Sequence, residues 1–426
     1  MVRERRTFAA NPKRPIPALF LAGLYVILLA GKLSIGGADL RIPGLVLCLT
    51  ATAAMGLQPT RGARSAPFLV PLAMLVAWLL VSTIWAPPGA RLAPVAADLL
   101  YLLVFAAISV YFLRRVDDET LRIVWILTFV AGCVYAVGAL ALGTVTAQGR
   151  LSAFGGGPNV FVRVVCLGVL ASVALTLGTR LGRWTMLAVP VLLMCAVLSG
   201  SRGGLVALLV TGLTAVWLIA SGKSRRAKRW LLTGTVGLAV FFYLLIWPRV
   251  KTFVQVRFID ETFNQGYTSG RSDISAQSLE LFKDHPIVGV GVDGYWALAG
   301  ASQGYQYPHN ILLTAATEGG LIGLALLTVT LGLGFRSAFR RRFPLQTLIP
   351  ALAALFILVA SLFSGYWYDT RFLWFYLAVG AELVERHRAR GPQDASAGSA
   401  QDQRPQRRVR RRRVRSASRR HRGPRR

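Results

Sequence analysis

Long apolar blocks constrain this chain more than any other feature. About twelve can be read, at 16–31, 35–57, 67–85, 94–113, 121–143, 159–178, 184–200, 203–220, 230–247, 308–334, 344–363 and 367–384. Most reach the roughly 20 residues that a helix needs to cross a bilayer; 16–31 and 184–200 fall short of it. Inside hydrocarbon every backbone N–H and C=O must be bonded within the protein, so such runs are helices rather than open strands. Composition agrees: 54% of residues are hydrophobic and the mean hydropathy is +0.51. The expectation is an all-α, polytopic integral membrane protein of about 12 transmembrane helices over 1–385, followed by a tail over 386–426.

The net charge of +31 invites a nucleic-acid reading, and the distribution of that charge argues against it. The tail over 386–426 holds 16 Lys and Arg against Asp394 and Asp402. Elsewhere basic residues alternate from loop to loop, so that the two termini and the even-numbered loops carry 37 of the 49 Lys and Arg. Basic loops stay cytoplasmic. Both termini are therefore expected inside, as are the loops 114–122, 222–229 and 336–342. The apolar run after MVRERR has no convincing small-residue cleavage site and is expected to stay as the first helix. The tail is low in complexity and is expected to be disordered. Its arginines suit anionic phospholipids of the inner leaflet better than nucleic acid. Cys48, Cys133, Cys166 and Cys195 all fall inside apolar blocks and read as small buried residues, with no disulfide or metal framework.

One external segment, 248–307, is far longer than the other external loops. Loops of that length are usually functional or disordered, and this one is not of low complexity. SDISAQSLELFKDHP reads as a helix capped by Ser272 and stopped by Pro286, followed by the glycines of IVGVGVDGY. Few charges lie on this side, and charges at the edge of a membrane are costly and usually functional. Arg163 sits in GPNVFVRVV, Arg202 in LSGSRGGL, Arg271 in TSGRSDIS, and His309 and Asn310 open the tenth block. Three arginines and a histidine on one side point to an anionic substrate, because guanidinium forks match phosphate oxygens. Ser201 and the N–H groups near Gly203 and Gly204 would add donors at a helix start. His309 can accept a proton near neutral pH. On a straight helix Glu318 would lie about 13 Å deeper than His309 and face away from it. His285 reads as a helix-end residue, and the spacing of Asp273, Asp284 and Asp293 resembles no calcium or magnesium loop.

These pieces together resemble the O-antigen ligase and Wzy-type O-antigen polymerase superfamily of bacterial envelope glycosyltransferases. The resemblance rests on SGSRGG (199–204), on GRSDISAQSLELFKDHPIVGVGVDGY (270–295), on PHNILLTAATEGGLIGLALL (308–327), and more loosely on GPNVFVRVV (157–165). It implies a GT-C-like membrane enzyme that takes a glycan from an undecaprenyl-diphosphate donor outside the cytoplasmic membrane. The glycan passes to a hydroxyl of a glycan, lipid or protein acceptor, with inversion and without a metal or other cofactor. It further implies that Arg202 and Arg271 hold the diphosphate and that His309 positions or deprotonates the acceptor, with Arg163, Ser201, Asn310 and Glu318 as candidate substrate contacts. A Wzy-type polymerase shares the motifs, and a lipid-linked oligosaccharide flippase is the alternative of a different class.

Overall fold

The computed structural model describes residues 15–30, 34–35, 38–56, 66–146, 149–154, 156–179, 181–221, 243–244, 247–256, 259, 270–304, 306–339 and 344–389. The basic tail beyond 389, the loop 222–229 and nearly all of the ninth apolar block lie outside these residues. The other eleven blocks all contain helices. The first five helices are α1 (Pro15–Ala30), α2 (Arg41–Ala54), α3 (Leu69–Val81), α4 (Leu92–Leu113) and α5 (Asp118–Leu142). Then come α6 (Gly157–Gly178), α7 (Val189–Leu198), α8 (Arg202–Ser221) and a short α9 (Trp247–Val254). The segment 248–307 carries α10 (Arg271–Asp284), and the chain continues through α11 (Ile311–Ala338) and α12 (Leu345–Ser361) to α13 over 371–389. Paired strands among the described residues are two ladders of two-residue strands, Ser34–Ile35 with Ala38–Asp39 and Thr144–Val145 with Leu151–Ser152.

The chain is an all-α membrane protein. Among the described residues α4, α5, α6 and α11 are long and apolar enough to cross a bilayer, and six further apolar helices are shorter. Lipid tails are as apolar as leucine, so close packing rather than hydrophobicity holds such helices to one another. Small residues make that packing possible. At the α5–α6 crossing a Cβ on Gly132 would stand 2.9 Å from the Cα of Gly168. The first half of α13 runs through the middle of the bundle, with every residue from Phe372 to Val379 buried. There Tyr376 stacks on Trp125 at 5.4 Å and shares a 2.9 Å hydrogen bond with Thr128.

A break in α11 organises the segment that follows α10. Gly320 has φ 65° and ψ −161°, which no helix contains and which only glycine adopts readily. The freed backbone groups need partners at membrane depth. Residues 286–291 supply them. The N–H groups of Leu321 and Ile322 donate to the carbonyls of Pro286 (2.8 Å) and Ile287 (3.4 Å). The carbonyls of Thr317 and Glu318 accept from Val290 (2.9 Å) and Gly291 (3.1 Å), and Trp78 Nε1 donates to the Gly319 carbonyl at 2.9 Å. A Cβ on Gly289 would lie 2.5 Å from the Glu318 carbonyl oxygen. PIVGVG and EGG are therefore two halves of one lock. Thr317 adds a bond to the Ser278 carbonyl (3.1 Å), which ties α10 to α11.

Two local expectations need correction. Ser272 does not cap α10. The helix begins one residue earlier, after Gly270 in the left-handed region (φ 71°), and the Ser272 hydroxyl points to Asp273 at 3.3 Å. Likewise Arg202, which the apolar blocks place in the short connection between the seventh and eighth of them, is the first residue of α8. Pro286 does follow the end of α10, two residues past Asp284.

Candidate active site

The N-terminal ends of α6 and α8 and the C-terminal end of α12 meet beside α10. Ser201 stands at the N-cap of α8: its carbonyl accepts from Leu205 at 3.1 Å and its hydroxyl from the Gly204 N–H at 3.4 Å. The same hydroxyl donates to Asn159 Oδ1 at 2.8 Å. Asn159, in the first turn of α6, also accepts from Arg150 at 3.3 Å and donates to Ser364 at 3.0 Å. Arg150 closes the turn before α8 by donating to the Ser199 carbonyl at 3.1 Å. The glycines of SRGG set the distance between helices. A Cβ on Gly203 would come within 2.3 Å of Phe363, and one on Gly204 within 2.4 Å of Val162.

Arg163 lies one turn beyond Asn159 on the same face of α6 and is buried, 7% exposed. It donates to the Ala360 carbonyl at 3.3 Å and stands 3.8 Å from Asp369. Arg163, Ser201, Asn159 and Ser364 share a narrow crevice with Arg271, the first residue of α10. Arg202, half-buried, follows Ser201 directly and precedes the crevice-lining Gly203. Three of the residues expected from sequence, Arg163, Ser201 and Arg271, thus line one crevice, and the fourth adjoins it.

Tyr307 connects this crevice to His309. Burial and the nearby Asp369 carboxylate push its phenol pKa up, while Arg163, Ser364 and Arg271 act the other way. Its ring lies 4.4 Å from the His309 imidazole. His309 itself has φ 59°, a left-handed conformation that costs a side-chain-bearing residue about 1 kcal/mol. Asn310 follows as the N-cap of α11, its Oδ1 accepting from Leu312 (3.0 Å) and Leu313 (3.2 Å). The imidazole is held at the turn where the polar segment becomes the membrane helix.

Residues 187–328, from just before α7 through α10 to the middle of α11, match the O-antigen ligase family. Over that segment, a third of its length, the chain is similar to the O-antigen ligase family. An O-antigen ligase of Pseudomonas aeruginosa is 32% identical over 171 residues, which cover 39% of this chain and 38% of that protein. The exopolysaccharide production protein ExoQ of Rhizobium meliloti is 34% identical over 86 residues, 17% of this chain and 20% of that protein. The chain thus spans less than half the length of either relative. Ser201, Arg202, Arg271, His309, Asn310 and Glu318 all fall within the O-antigen ligase segment, and Arg163 lies upstream of it.

The remaining candidates of this O-antigen ligase segment sit elsewhere. Glu318 is 1% exposed, and its carboxylate faces Tyr366 and Trp367 rather than the crevice. His285 is the exposed C-cap of α10, and Asp273 and Asp284 are exposed on the same helix. Asp293 is 1% exposed and is clasped by Arg91, whose Nε and Nη2 reach its two oxygens at 2.9 and 2.8 Å. That guanidinium also covers the Trp296 ring at 4.1 Å. The sequence reading singled out neither Arg150, Arg91, Tyr307, Ser364 nor Tyr366. Tyr307 carried a usable signal, two residues before His309 in QYPHN. Arg91 and Ser364 carried none, since each lies between helices in a stretch of ordinary composition and acquires its contacts from partners distant in sequence.

Proposed function

We propose that this chain transfers a glycan from an undecaprenyl-diphosphate carrier to an acceptor hydroxyl at the outer face of the bacterial cytoplasmic membrane. Arg271 and Arg202 bind the diphosphate, and Arg163 and Ser201 complete its surroundings. As the bond between the anomeric carbon and the diphosphate oxygen breaks, its electron pair stays on that oxygen. Fixed guanidinium groups stabilise the charge that develops there, often the largest single contribution to catalysis. The acceptor oxygen bonds the opposite face of the anomeric carbon, inverting it, and its proton passes to His309. Undecaprenyl diphosphate leaves, and the imidazolium returns its proton to water. Guanidinium charge fills the role a divalent cation plays in other transferases, so no metal takes part.

The observation that carries this reading is the convergence of Arg163, Ser201 and Arg271 on one crevice, joined through Ser364 and Tyr307 to His309. Twelve or so spans, with both termini cytoplasmic, would place that crevice outside, where a lipid-linked donor arrives sideways from the bilayer. Arginines of the tail would then meet anionic phospholipids of the inner leaflet. A polymerase, whose acceptor is a second carrier-linked glycan, is the second reading, and the exopolysaccharide named in one relative favours it.

The test is release of undecaprenyl diphosphate from lipid-linked glycan by the reconstituted chain in EDTA, beside His309→Ala. Release by wild type and none by a folded mutant is the expected result. Carrier-linked glycan that crosses the bilayer intact would make the protein a flippase and end this proposal. Supplying only carrier-linked glycan, and then adding a separate acceptor, separates polymerase from ligase.

A further inference from the structure

Glu318 occupies a costly position for an acidic side chain. Its two oxygens accept from Tyr366 Oη at 3.1 and 3.3 Å and from Trp367 Nε1 at 3.0 Å. Among the described residues it forms no ion pair. A carboxylate placed within a membrane helix without a cation is expensive, and such residues are retained for function. A glutamine would match the site less well: it offers one acceptor atom where the carboxylate offers two, and the Tyr366 hydroxyl facing Oε1 would have to accept from the amide instead of donating.

The two indole and phenol donors lead toward the crevice. Tyr366 stacks on Tyr307 with ring centroids 5.1 Å apart and planes 23° from parallel. Tyr307 in turn lies 4.4 Å from the His309 imidazole. Tyr366 is pinned a second time by its own N–H, which donates to Asp369 Oδ2 at 3.1 Å; the other oxygen of Asp369 faces Arg163 at 3.8 Å. Meanwhile the backbone on either side of the break at Gly320 is closed by residues 286–291. The Glu318 side chain is thereby left to serve other side chains.

We propose that Glu318 is a positioning residue, which fixes the imidazole of His309 through the stacked rings of Tyr366 and Tyr307. The proposal rests on the glycan-transfer reading above. Glu318 touches no reacting atom. It holds the Tyr366 hydroxyl, Tyr366 holds the face of Tyr307, and Tyr307 limits the orientations open to an imidazole on a left-handed backbone. A proton acceptor misplaced by about 1 Å can cost on the order of a hundredfold in rate, so a remote carboxylate can control turnover without meeting the substrate.

The experiment uses the full chain in liposomes and compares wild type with Glu318→Gln, Tyr366→Phe and the double variant. Undecaprenyl diphosphate release should show kcat down about 10- to 100-fold for each, with the donor KM within about twofold. The double variant should be no worse than the worse single variant, since both break one chain of contacts. Wild-type kcat in Glu318→Gln would overturn the proposal, and so would a raised KM at unchanged kcat, which would put the carboxylate on the substrate. A second readout needs no turnover. In histidine-labelled protein the ¹⁵N imidazole signal of His309, identified by its loss in His309→Ala, should shift or broaden in Glu318→Gln while that of His285 stays. An unmoved His309 signal would overturn the positioning role even if turnover fell through loss of folded protein. Should wild type release no undecaprenyl diphosphate, the glycan-transfer reading fails, and the imidazole spectrum still decides whether Glu318 orders His309.

Discussion

Two polar clusters lie near the ends of the helices, and they are built in opposite ways. The crevice between α6, α8 and α12 is lined by Arg163 and Arg271 and by no acidic residue. The lock around the α11 break contains Glu318 and Asp293, each 1% exposed, and each is met by protein donors on both oxygens. One cluster concentrates positive charge beside a cavity. The other closes its polar atoms upon one another. Under the proposed function an anion would lower the energy of the first cluster, whereas the carboxylates of the second already have protein donors on both oxygens. The contrast also explains why a segment rich in glycine stands next to α10. PIVGVG repairs a helix, and in doing so it fixes the helix whose first residue is Arg271.

The comparison can be broken at several points. The largest effect is expected from Arg271→Ala, which should lower turnover by about a thousandfold or more while leaving a folded protein in the membrane; Arg202→Ala should behave alike. Lysine at either position should recover only part of the rate, because the forked geometry is lost. Full activity in Arg271→Ala, measured as carrier release, would remove the crevice from the chemistry. Next comes Arg91→Ala, which strands the Asp293 carboxylate. Breaking a pair with one buried member costs about 3 kcal/mol, so thermal unfolding in detergent should fall clearly, and Asp293→Asn should restore part of the loss. Gly320→Ala tests the lock itself. Its Cβ would meet the Ile287 carbonyl oxygen at 2.2 Å on a backbone that disfavours side chains by about 1–3 kcal/mol. The expected result is a lower unfolding midpoint and faster proteolysis within 286–291. The smallest effect belongs to Ser201→Ala, which removes an N-cap worth about 1 kcal/mol and releases Asn159. Modest stability loss with a rate change of severalfold would sharpen the view that Ser201 shapes the crevice more than it binds.

Much of the fold was open to inspection in the apolar blocks. Helices stand at eleven of the twelve expected places, because a long apolar run in lipid has no other way to bond its backbone. SGSRGG, TSGRSDIS and QYPHN likewise pointed to residues that do gather at one end of the bundle. The reading failed where a residue's role depends on a distant partner. Ser272 looked like a helix cap because its type and place were right, and Gly270 took the position through its own backbone freedom. The resemblance made Glu318 a candidate substrate contact, and nothing local in the sequence shows that its side-chain partners arrive from 48 and 49 residues further along.

By itself, then, the sequence determined that this chain is a membrane-embedded helical protein, since hydropathy and charge are properties of each local stretch. Only the tertiary structure decided which of those charges face a cavity and which are sealed. That choice depends on contacts such as Arg91 to Asp293, 202 residues apart, and Trp78 to Gly319, 241 apart. Polar groups in a bilayer must find partners wherever the packed helices bring them, and no pattern within a single helix records where that is.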